Sequence, residues 1–322
     1  FPLFSDEERK VVGTAYKQES REKAIKWGLQ YFGPKLLPMV EAAEKLAAEK
    51  NHPKTLLVHC WRGGMRSAAV AWLLDLYGFR IFLLKGGYKA YRQWVLQTLA
   101  QPFPLHLVGG YTGSGKTELL QALKAKGAAV LDLEALAAHK GSAFGKLGMP
   151  PTPSQEFFEN QLAQELVALQ EKLPALSWPV VFVEDESQRI GEINIPAPFY
   201  QQMRQAPMVF LDIPFAARLE HILAGYGKFE TEKLLNAIVR IQKRLGGLET
   251  KNAVQCLLEK DLQGCFSILL TYYDKYYLMG KNKRPNPDQQ VQHLSLPAVN
   301  PTTNARQLLQ AIGENPGRPK HP

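Results

Sequence analysis

The chain has 322 residues, a length that suggests about two domains, and 45% hydrophobic with 21% charged residues, as in a globular protein. No apolar run reaches the roughly 18 residues of a membrane-spanning helix, which excludes such a span. A net charge of +9 fits a nucleic-acid partner and an ordinary basic enzyme equally well. Three cysteines exclude a disulfide framework and indicate a reducing, cytoplasmic compartment. The start at Phe1-Pro2 is what we expect of a fragment boundary rather than a signal peptide.

The first hundred residues alternate between strand-like and helix-like segments. Apolar periodicity and glycine punctuation predict a helix over 34–50, a strand over 54–59, a glycine-bearing loop over 60–67, a helix over 68–77, a strand over 80–84 and a helix to about 99. Such strand–loop–helix alternation indicates a parallel α/β sheet.

A proline-rich hinge at 101–104 is the predicted domain boundary, which gives domains at 1–100 and 105–322. Beyond it the pattern predicts strands at 105–108, 128–133, 179–183 and 208–212, helices at 116–126 and 154–173, and mostly helix over 215–277. The polar tail 315–322 is expected to fray.

Residues 110–117 match the phosphate-binding pattern G-x-x-x-x-G-K-[ST] at every fixed position. Glycines in this loop let backbone amides turn toward phosphate oxygens, and the helix that follows adds its positive end. Lys116 would reach the terminal phosphate, and the Thr117 hydroxyl would face Mg²⁺. The predicted diphosphate-binding residues are Gly110, Tyr111, Thr112, Gly113, Ser114, Gly115, Lys116 and Thr117.

Acidic residues follow the strand 179–183 as Glu184-Asp185-Glu186. An acid there would hold a metal or a water opposite the phosphate loop, and a solvated strand end is the alternative. We expect Mg²⁺, if used, to be held by Thr117 and Asp185. Asp132 ends another strand on the same edge of the sheet and is a further acidic candidate.

Cys60 begins a loop that also contains Trp61, Arg62, Gly63, Gly64, Met65, Arg66 and Ser67. Backbone amides of such a loop converge on the sulfur, and with Arg62, Arg66 and the helix start they should lower the thiol pKa. The same cup would hold a tetrahedral oxyanion or a persulfide-like adduct. Cys256 and Cys265 lie in apolar helical sequence and are expected to be core residues rather than metal ligands.

The Cys60 loop resembles that of rhodanese-type sulfur carriers, and its C-x-x-x-x-x-R spacing also occurs in cysteine phosphatases. A rhodanese-like module reading HCWRGGMRS before a phosphate-loop module resembles the tRNA 2-selenouridine synthase family. Further blocks that look like this family are DEERKVVGTAYKQ at 6–18, GGYKAYR at 86–92, DLEALAAHKGSAFG at 132–145, EDESQRIG at 184–191 and RLGG at 244–247. The resemblance covers nearly the entire chain.

The resemblance implies a transferase that converts wobble 2-thiouridine of tRNA to 2-selenouridine, first by S-geranylation with geranyl diphosphate and then by selenation with selenophosphate. It implies no tightly bound cofactor and adds a selenophosphate-producing enzyme as a partner. By this resemblance Cys60 serves selenation, either by carrying selenium or by assisting the exchange, and its loop holds selenophosphate. The phosphate loop would grip the geranyl donor's diphosphate in preference to a nucleotide. His139, Lys140 and Arg189 are weaker candidates for substrate or tRNA contacts.

The expected fold is therefore α/β, with a truncated rhodanese-like parallel-sheet module followed by a P-loop NTPase-like module that has a helical C-terminal part. Rhodanese modules normally open with a strand that precedes the part seen here, so the first sheet is expected to lack that strand. Two other functions stay open: a P-loop kinase or ATPase with a regulatory rhodanese-like module, and a non-catalytic tRNA-binding chalcogen carrier. A cysteine phosphatase would leave the phosphate loop without a role.

Overall fold

The structure is a computed structural model that describes residues 2–49, 54–142, 144–227, 229–282 and 284–313. It divides into a first unit, Phe1–Trp94, and a second unit, Val95–Pro322. The tail expected to fray, 315–322, lies outside the described residues. No helix in the described ranges is both long and apolar enough to cross a membrane.

The first unit surrounds a pair of parallel strands with helices. The strands run in register from Thr55 opposite Arg80 to Val58 opposite Leu83. Apolar residues such as Val40, Leu74 and Phe79 form the buried core. In chain order the elements are α1 (Asp6–Gln18), α2 (Arg21–Phe32), α3 (Leu36–Glu49), β1 (Thr55–Val58), α4 (Met65–Leu76), β2 (Arg80–Leu83) and α5 (Gly87–Ala100), whose last residues belong to the second unit.

Two helices at the start of the chain were not predicted from the sequence. Ser5 caps α1 in a capping box with Glu8, and the Ser20 hydroxyl accepts the Lys23 amide at the start of α2. Their apolar stripes are narrow, with Ala15 the one fully buried residue of α1 in the described chain. The serine caps were therefore the stronger local signal of helix here.

The second unit contains a five-stranded, all-parallel sheet in the order β4-β5-β3-β8-β9. The central strand β3 pairs with β5 on one side and β8 on the other, so that Leu107 faces both Val183 and Met208. The strands are β3 (Leu105–Gly110), β4 (Ala129–Leu131), β5 (Val181–Glu184), β8 (Met208–Asp212) and β9 (Val291–Ser295), with a small antiparallel hairpin β6 (Arg189–Ile190) and β7 (Ile193–Asn194).

Helices cover this sheet and extend from it in the C-terminal half. Leu119 and Leu123 of α6 pack with Leu308 of the last helix in one buried cluster, and Leu234, Ile238 and Phe266 belong to another. The helices are α6 (Lys116–Ala125), α7 (Leu133–Ala137), α8 (Gln155–Lys172), α9 (Ala197–Gln205), α10 (Phe215–Tyr226), α11 (Thr231–Leu245), α12 (Gly247–Leu258), α13 (Leu262–Asn282), α14 (Pro287–Gln290) and α15 (Pro301–Gly313).

The predicted fold class, α/β with two parallel-sheet modules and a helical C-terminal part, is confirmed. Because all five strands of the second sheet are parallel, their carboxyl ends lie at one edge. Val108 pairs with Glu184 across β3 and β5, which brings that carboxylate beside the start of the phosphate loop.

Candidate functional site

The Cys60 sulfur lies in a cup made by the loop between β1 and α4. The Gly64 amide donates to Sγ at 3.3 Å, and the Ser67 hydroxyl lies 3.3 Å from the same atom. The same hydroxyl oxygen lies 3.0 Å from the Gly64 carbonyl, so its single proton is donated to that carbonyl when the thiol is neutral and to the sulfur when the thiol is ionised. Gly63 has a φ of 65°, a conformation that glycine adopts without strain. The loop therefore presents donors to sulfur as the sequence predicts.

Hydrogen bonds, rather than nearby cations, make this thiol acidic. Partial burial raises the pKa of Cys60, but the Ser67 hydroxyl and the amides of Ser67, Gly64 and Arg62 outweigh it and lower the pKa to about 7. The sequence prediction named the backbone amides together with Arg62, Arg66 and the helix start; both arginines are exposed, and the hydrogen bonds lower the pKa. A thiol with this pKa can supply thiolate near neutral pH.

A glycine pair supports the loop from α5. The amides of Tyr88 and Lys89 donate to the carbonyls of Cys60 and Trp61, both at 2.9 Å. A Cβ on Gly87, whose φ is 63°, would lie 2.3 Å from the Cys60 carbonyl oxygen. The sequence signal for this support was the Gly86-Gly87 pair itself, to which no role was assigned.

The loop and the first turn of α4 present an indole and cations to solvent. The Trp61 side chain is 52% exposed, and its ring centroid lies 5.8 Å from that of Tyr88. Met65, Arg62 and Arg66 are also exposed. An aromatic face beside a thiolate can stack on a nucleobase.

The phosphate loop joins β3 to α6 in the second unit. Gly113 and Gly115 have φ values of 82° and 71°, and a Cβ on either would approach Ile222 or Val299 within 2.8 Å. The buried Ser114 hydroxyl has no hydrogen-bond partner among the described residues. An orphaned hydroxyl in a ring of glycine amides fits a phosphate ligand.

Lys116 and Thr117 face acidic side chains. The Lys116 ammonium donates to the Gly110 carbonyl at 3.1 Å and lies 3.4 Å from Glu184. The Thr117 hydroxyl donates to Glu134 at 3.0 Å and lies within 3.4 Å of Glu184. Glu134 lies in the first turn of α7, after β4, so sequence spacing did not connect it with Thr117.

Glu134, Glu184 and Glu186 form a three-carboxylate cluster whose ligand atoms lie within 4.8 Å of one another. Burial, together with mutual repulsion, raises the pKa of Glu134 to about 8 and the pKa of Glu186 well above its usual range. Burial also raises the pKa of Glu184, although Lys116 opposes this. Carboxylates and a threonine hydroxyl are the hard oxygen ligands that Mg²⁺ prefers, so the cluster fits that ion.

Asp185, the predicted metal ligand, is used differently. Its carboxylate accepts hydrogen bonds from Tyr277 at 2.7 Å and from the buried Arg284 at 2.6 Å. Tyr277 also accepts the Gly110 amide at 3.1 Å, which links Asp185 to the start of the phosphate loop. The structure thus pairs Thr117 with Glu134 and Glu184 rather than with Asp185.

An arginine supports the loop from α10. Arg218 is 3% exposed and donates to the Thr112 carbonyl at 3.0 Å. It makes a bidentate pair with Asp274 at 2.7 and 2.9 Å, and its guanidinium lies 4.8 Å from the Tyr111 ring centroid. Arg218 is therefore a buried cation that holds the backbone of the phosphate loop.

The remaining candidates have local roles in the structure. Asp132 caps α7 by accepting the Ala135 amide at 2.9 Å. His139 packs where a Cβ on Gly145 or Gly191 would come within 2.7 Å of its ring. Lys140 is exposed, and the exposed Arg189 donates to the Gly191 carbonyl at 2.9 Å.

These features define a class of protein with two units, one holding a rhodanese-like thiol loop and the other a P-loop phosphate site. A rhodanese-like domain model matches residues 21–93, and the model of the tRNA 2-selenouridine synthase AAA domain matches residues 103–293. The chain belongs to the tRNA 2-selenouridine synthase family.

Curated relatives agree with this assignment over most of the chain. Proteins named tRNA 2-selenouridine synthase from Bdellovibrio bacteriovorus and Pseudomonas fluorescens are 34% and 36% identical, and each alignment covers 88% of this chain. They cover 84% and 83% of those relatives. A third, from Sulfurovum sp., is 38% identical over 78% of this chain and 71% of the relative.

Proposed function

We propose that this chain converts 2-thiouridine at the wobble position of tRNA to 2-selenouridine. The observation that carries the proposal is the Cys60 sulfur, held by amides and a hydroxyl at a pKa of about 7, in a chain that also has a complete phosphate loop. A reactive thiol alone would fit many enzymes. Its combination with a phosphate loop fits a family whose relatives are named for selenouridine synthesis.

The first step is alkylation of the base sulfur by geranyl diphosphate. The thiocarbonyl sulfur attacks C1 of the geranyl group, the C–O bond breaks, diphosphate leaves and the base loses its N3 proton. The amides of the phosphate loop, Ser114 and Lys116 hold the departing diphosphate. Mg²⁺ bound by Thr117, Glu134 and Glu184 would supply charge neutralisation for that leaving group.

The second step replaces the alkylated sulfur. Selenium of selenophosphate attacks C2, geranylthiolate leaves, and water cleaves the Se–P bond to release phosphate and 2-selenouridine. The amide cup around Cys60, with Arg62 and Arg66, holds the anionic donor. The Cys60 thiol assists the exchange by giving its proton to the departing geranylthiolate, and the water that cleaves the Se–P bond returns a proton to the Cys60 thiolate. Alkylation comes first because a thiocarbonyl is a poor leaving group, whereas an alkylated sulfur leaves as a thiolate.

Recognition of the substrate uses charge and stacking. The net charge of +9 attracts the phosphates of tRNA, and the exposed indole of Trp61 offers a face for the uracil ring. We place the reaction in the cytoplasm, where a reducing environment keeps the thiol available and a selenophosphate-producing enzyme supplies the donor.

The test is reconstitution with the purified full chain, thiolated tRNA, Mg²⁺, geranyl diphosphate and selenophosphate, followed by mass analysis of nucleosides. We expect S-geranyl-2-thiouridine when selenophosphate is left out and 2-selenouridine when both donors are present. Mg²⁺-dependent ATP hydrolysis that tRNA does not affect, with no modified nucleoside, would instead identify a P-loop ATPase. A selenium adduct on Cys60 without any modified nucleoside would identify a chalcogen carrier.

A further inference from the structure

We infer that an apolar cavity beside Cys60 binds the geranyl chain carried by the base sulfur during selenation. This inference rests on the proposed function and assigns a substrate group to a place in the first unit. The cavity, called here the α1–α2 cavity, has a volume of about 670 Å³ and includes Cys60 in its wall. A volume of this size is typical of sites that bury a small organic ligand.

The walls of the α1–α2 cavity are apolar and come mainly from two helices. A Cβ on Gly13 would meet no atom within 4 Å, and one on Gly28 would meet only the Phe4 ring at 3.6 Å. The glycines therefore leave space that larger residues would fill. The apolar side chains in the wall include Val12, Ala24, Ile25, Leu29, Phe32 and Met65.

Cations border the same space. Lys17, Arg62 and Arg66 line the cavity together with Arg9, which also pairs with Asp6 at 2.8 Å. No carboxylate is among its lining residues in the described part of the chain. Apolar walls with a cationic border match a ligand that has a hydrocarbon chain attached to a polyanion, as an S-geranylated tRNA does.

The covalent bonds of the substrate indicate which geranyl group occupies the α1–α2 cavity. They favour the geranyl chain attached to the base sulfur over the chain of free geranyl diphosphate. In the selenation step C2 of the base must lie at the Cys60 cup, and the leaving sulfur is one bond from C2. The first carbon of the geranyl chain therefore starts next to Cys60, where the α1–α2 cavity opens on the same loop. Burial of the chain would also keep geranylthiolate away from water until it leaves.

The test compares selenation of two tRNA substrates, one S-geranylated and one S-methylated at the same uridine, by the full chain with selenophosphate. We expect wild type to prefer the geranyl substrate in kcat/KM by at least about tenfold, since each buried methylene contributes roughly a factor of four. Gly13→Leu and Ile25→Trp, which fill the cavity, should reduce this preference by a similar factor. Gly280→Leu is the matched control, because Gly280 is an exposed helical position in α13 where an added Cβ would meet no atom within 4 Å, and it should retain the preference.

A preference that stays intact in both cavity-filling variants overturns the inference. The inference is also overturned if the two variants differ from wild type only in a raised KM for geranyl diphosphate in the first step. That result would make free geranyl diphosphate the occupant of the cavity. If wild type selenates neither tRNA, the proposed function is wrong. Binding of the S-geranyl-2-thiouridine nucleoside then tests separately whether the α1–α2 cavity holds the geranyl chain. Quenching of tryptophan fluorescence by the geranyl nucleoside, stronger than by the S-methyl nucleoside and lost in Gly13→Leu, supports the cavity; equal quenching in the variant contradicts it.

Discussion

The Tyr277 hydroxyl donates a 2.7 Å hydrogen bond to the carboxylate of Asp185. The same hydroxyl accepts the Gly110 amide, and Arg284 holds the other carboxylate oxygen at 2.6 Å. This network fixes the first residue of the phosphate loop from a helix more than 160 positions further along the chain. Its members hold the loop through hydrogen bonds to the Gly110 amide and to one another.

Tyr277→Phe should therefore weaken the diphosphate-dependent step through the loop. The substitution leaves the Gly110 amide and Asp185 without their shared partner, at a stability cost of about 1–3 kcal/mol. We expect a higher KM for geranyl diphosphate, with unchanged selenation of S-geranylated tRNA. Tyr276→Phe is the control, because Tyr276 is 43% exposed on the same helix. Equal KM values for the two variants would contradict the role of the network.

Ser67→Ala should raise the pKa of Cys60 toward the ordinary thiol value of about 8.5. In the folded protein the Ser67 hydroxyl, together with the amides of Ser67, Gly64 and Arg62, lowers that pKa to about 7, so the thiolate fraction rises through neutral pH. Without the hydroxyl the same rise should occur at higher pH. The measurement is the rate of iodoacetamide alkylation against pH.

The other two cysteines and a control variant make that titration specific for Cys60. Burial raises the pKa of Cys265 to about 12 and also raises the pKa of Cys256, so both should react slowly near neutrality. Ser20→Ala, which removes the cap of α2 at about 1 kcal/mol, should leave the midpoint of Cys60 at about 7. An unchanged midpoint in Ser67→Ala would refute the hydrogen-bond explanation.

Gly87→Ala should disturb the Cys60 loop in addition to lowering stability. Gly87 and Gly78 both have positive φ, so alanine at either position costs about 1–3 kcal/mol in backbone strain. Only at Gly87 would the new Cβ meet the Cys60 carbonyl, whereas Gly78 has open space. We expect thermal unfolding to shift in both variants and the alkylation profile of Cys60 to change in Gly87→Ala alone.

Glu184→Gln should lower the affinity for Mg²⁺ by at least about tenfold. Replacing residues that only hydrogen-bond to metal ligands already lowers metal affinity by about this factor, and Glu184 is proposed as a direct ligand. Mn²⁺ binding in the presence of diphosphate, followed by electron paramagnetic resonance, measures this directly. Glu118→Gln is the control, since Glu118 lies on the same helix as Thr117 but pairs with His221 at 3.6 Å. Equal affinities for the two variants would remove Glu184 from the ion site.

Local patterns were sufficient to predict both loops and the parallel strands that carry them. The glycines around Lys116 and the small residues after Cys60 shape the backbone of the loop in which they lie. Their effect can therefore be predicted from adjacent positions in the sequence. Glu134, Tyr277 and Arg284 could not be found this way, because they reach the phosphate loop through sheet order and helix packing. The edge strand β9 was missed for a similar reason: Val291–Ser295 is short and mixed in polarity, and pairing with β8 makes it a strand.

The proposed function assigns two successive steps on one base to two anion-binding loops, the phosphate loop with Lys116 and the Cys60 loop. The most direct test supplies either thiolated tRNA with both donors, or S-geranylated tRNA with selenophosphate alone, to Lys116→Ala and Cys60→Ala variants. We expect S-geranylated tRNA to restore 2-selenouridine formation in Lys116→Ala but not in Cys60→Ala, which should accumulate the geranylated base. Selenation by Cys60→Ala at the wild-type rate, or failure of S-geranylated tRNA to rescue Lys116→Ala, would contradict it.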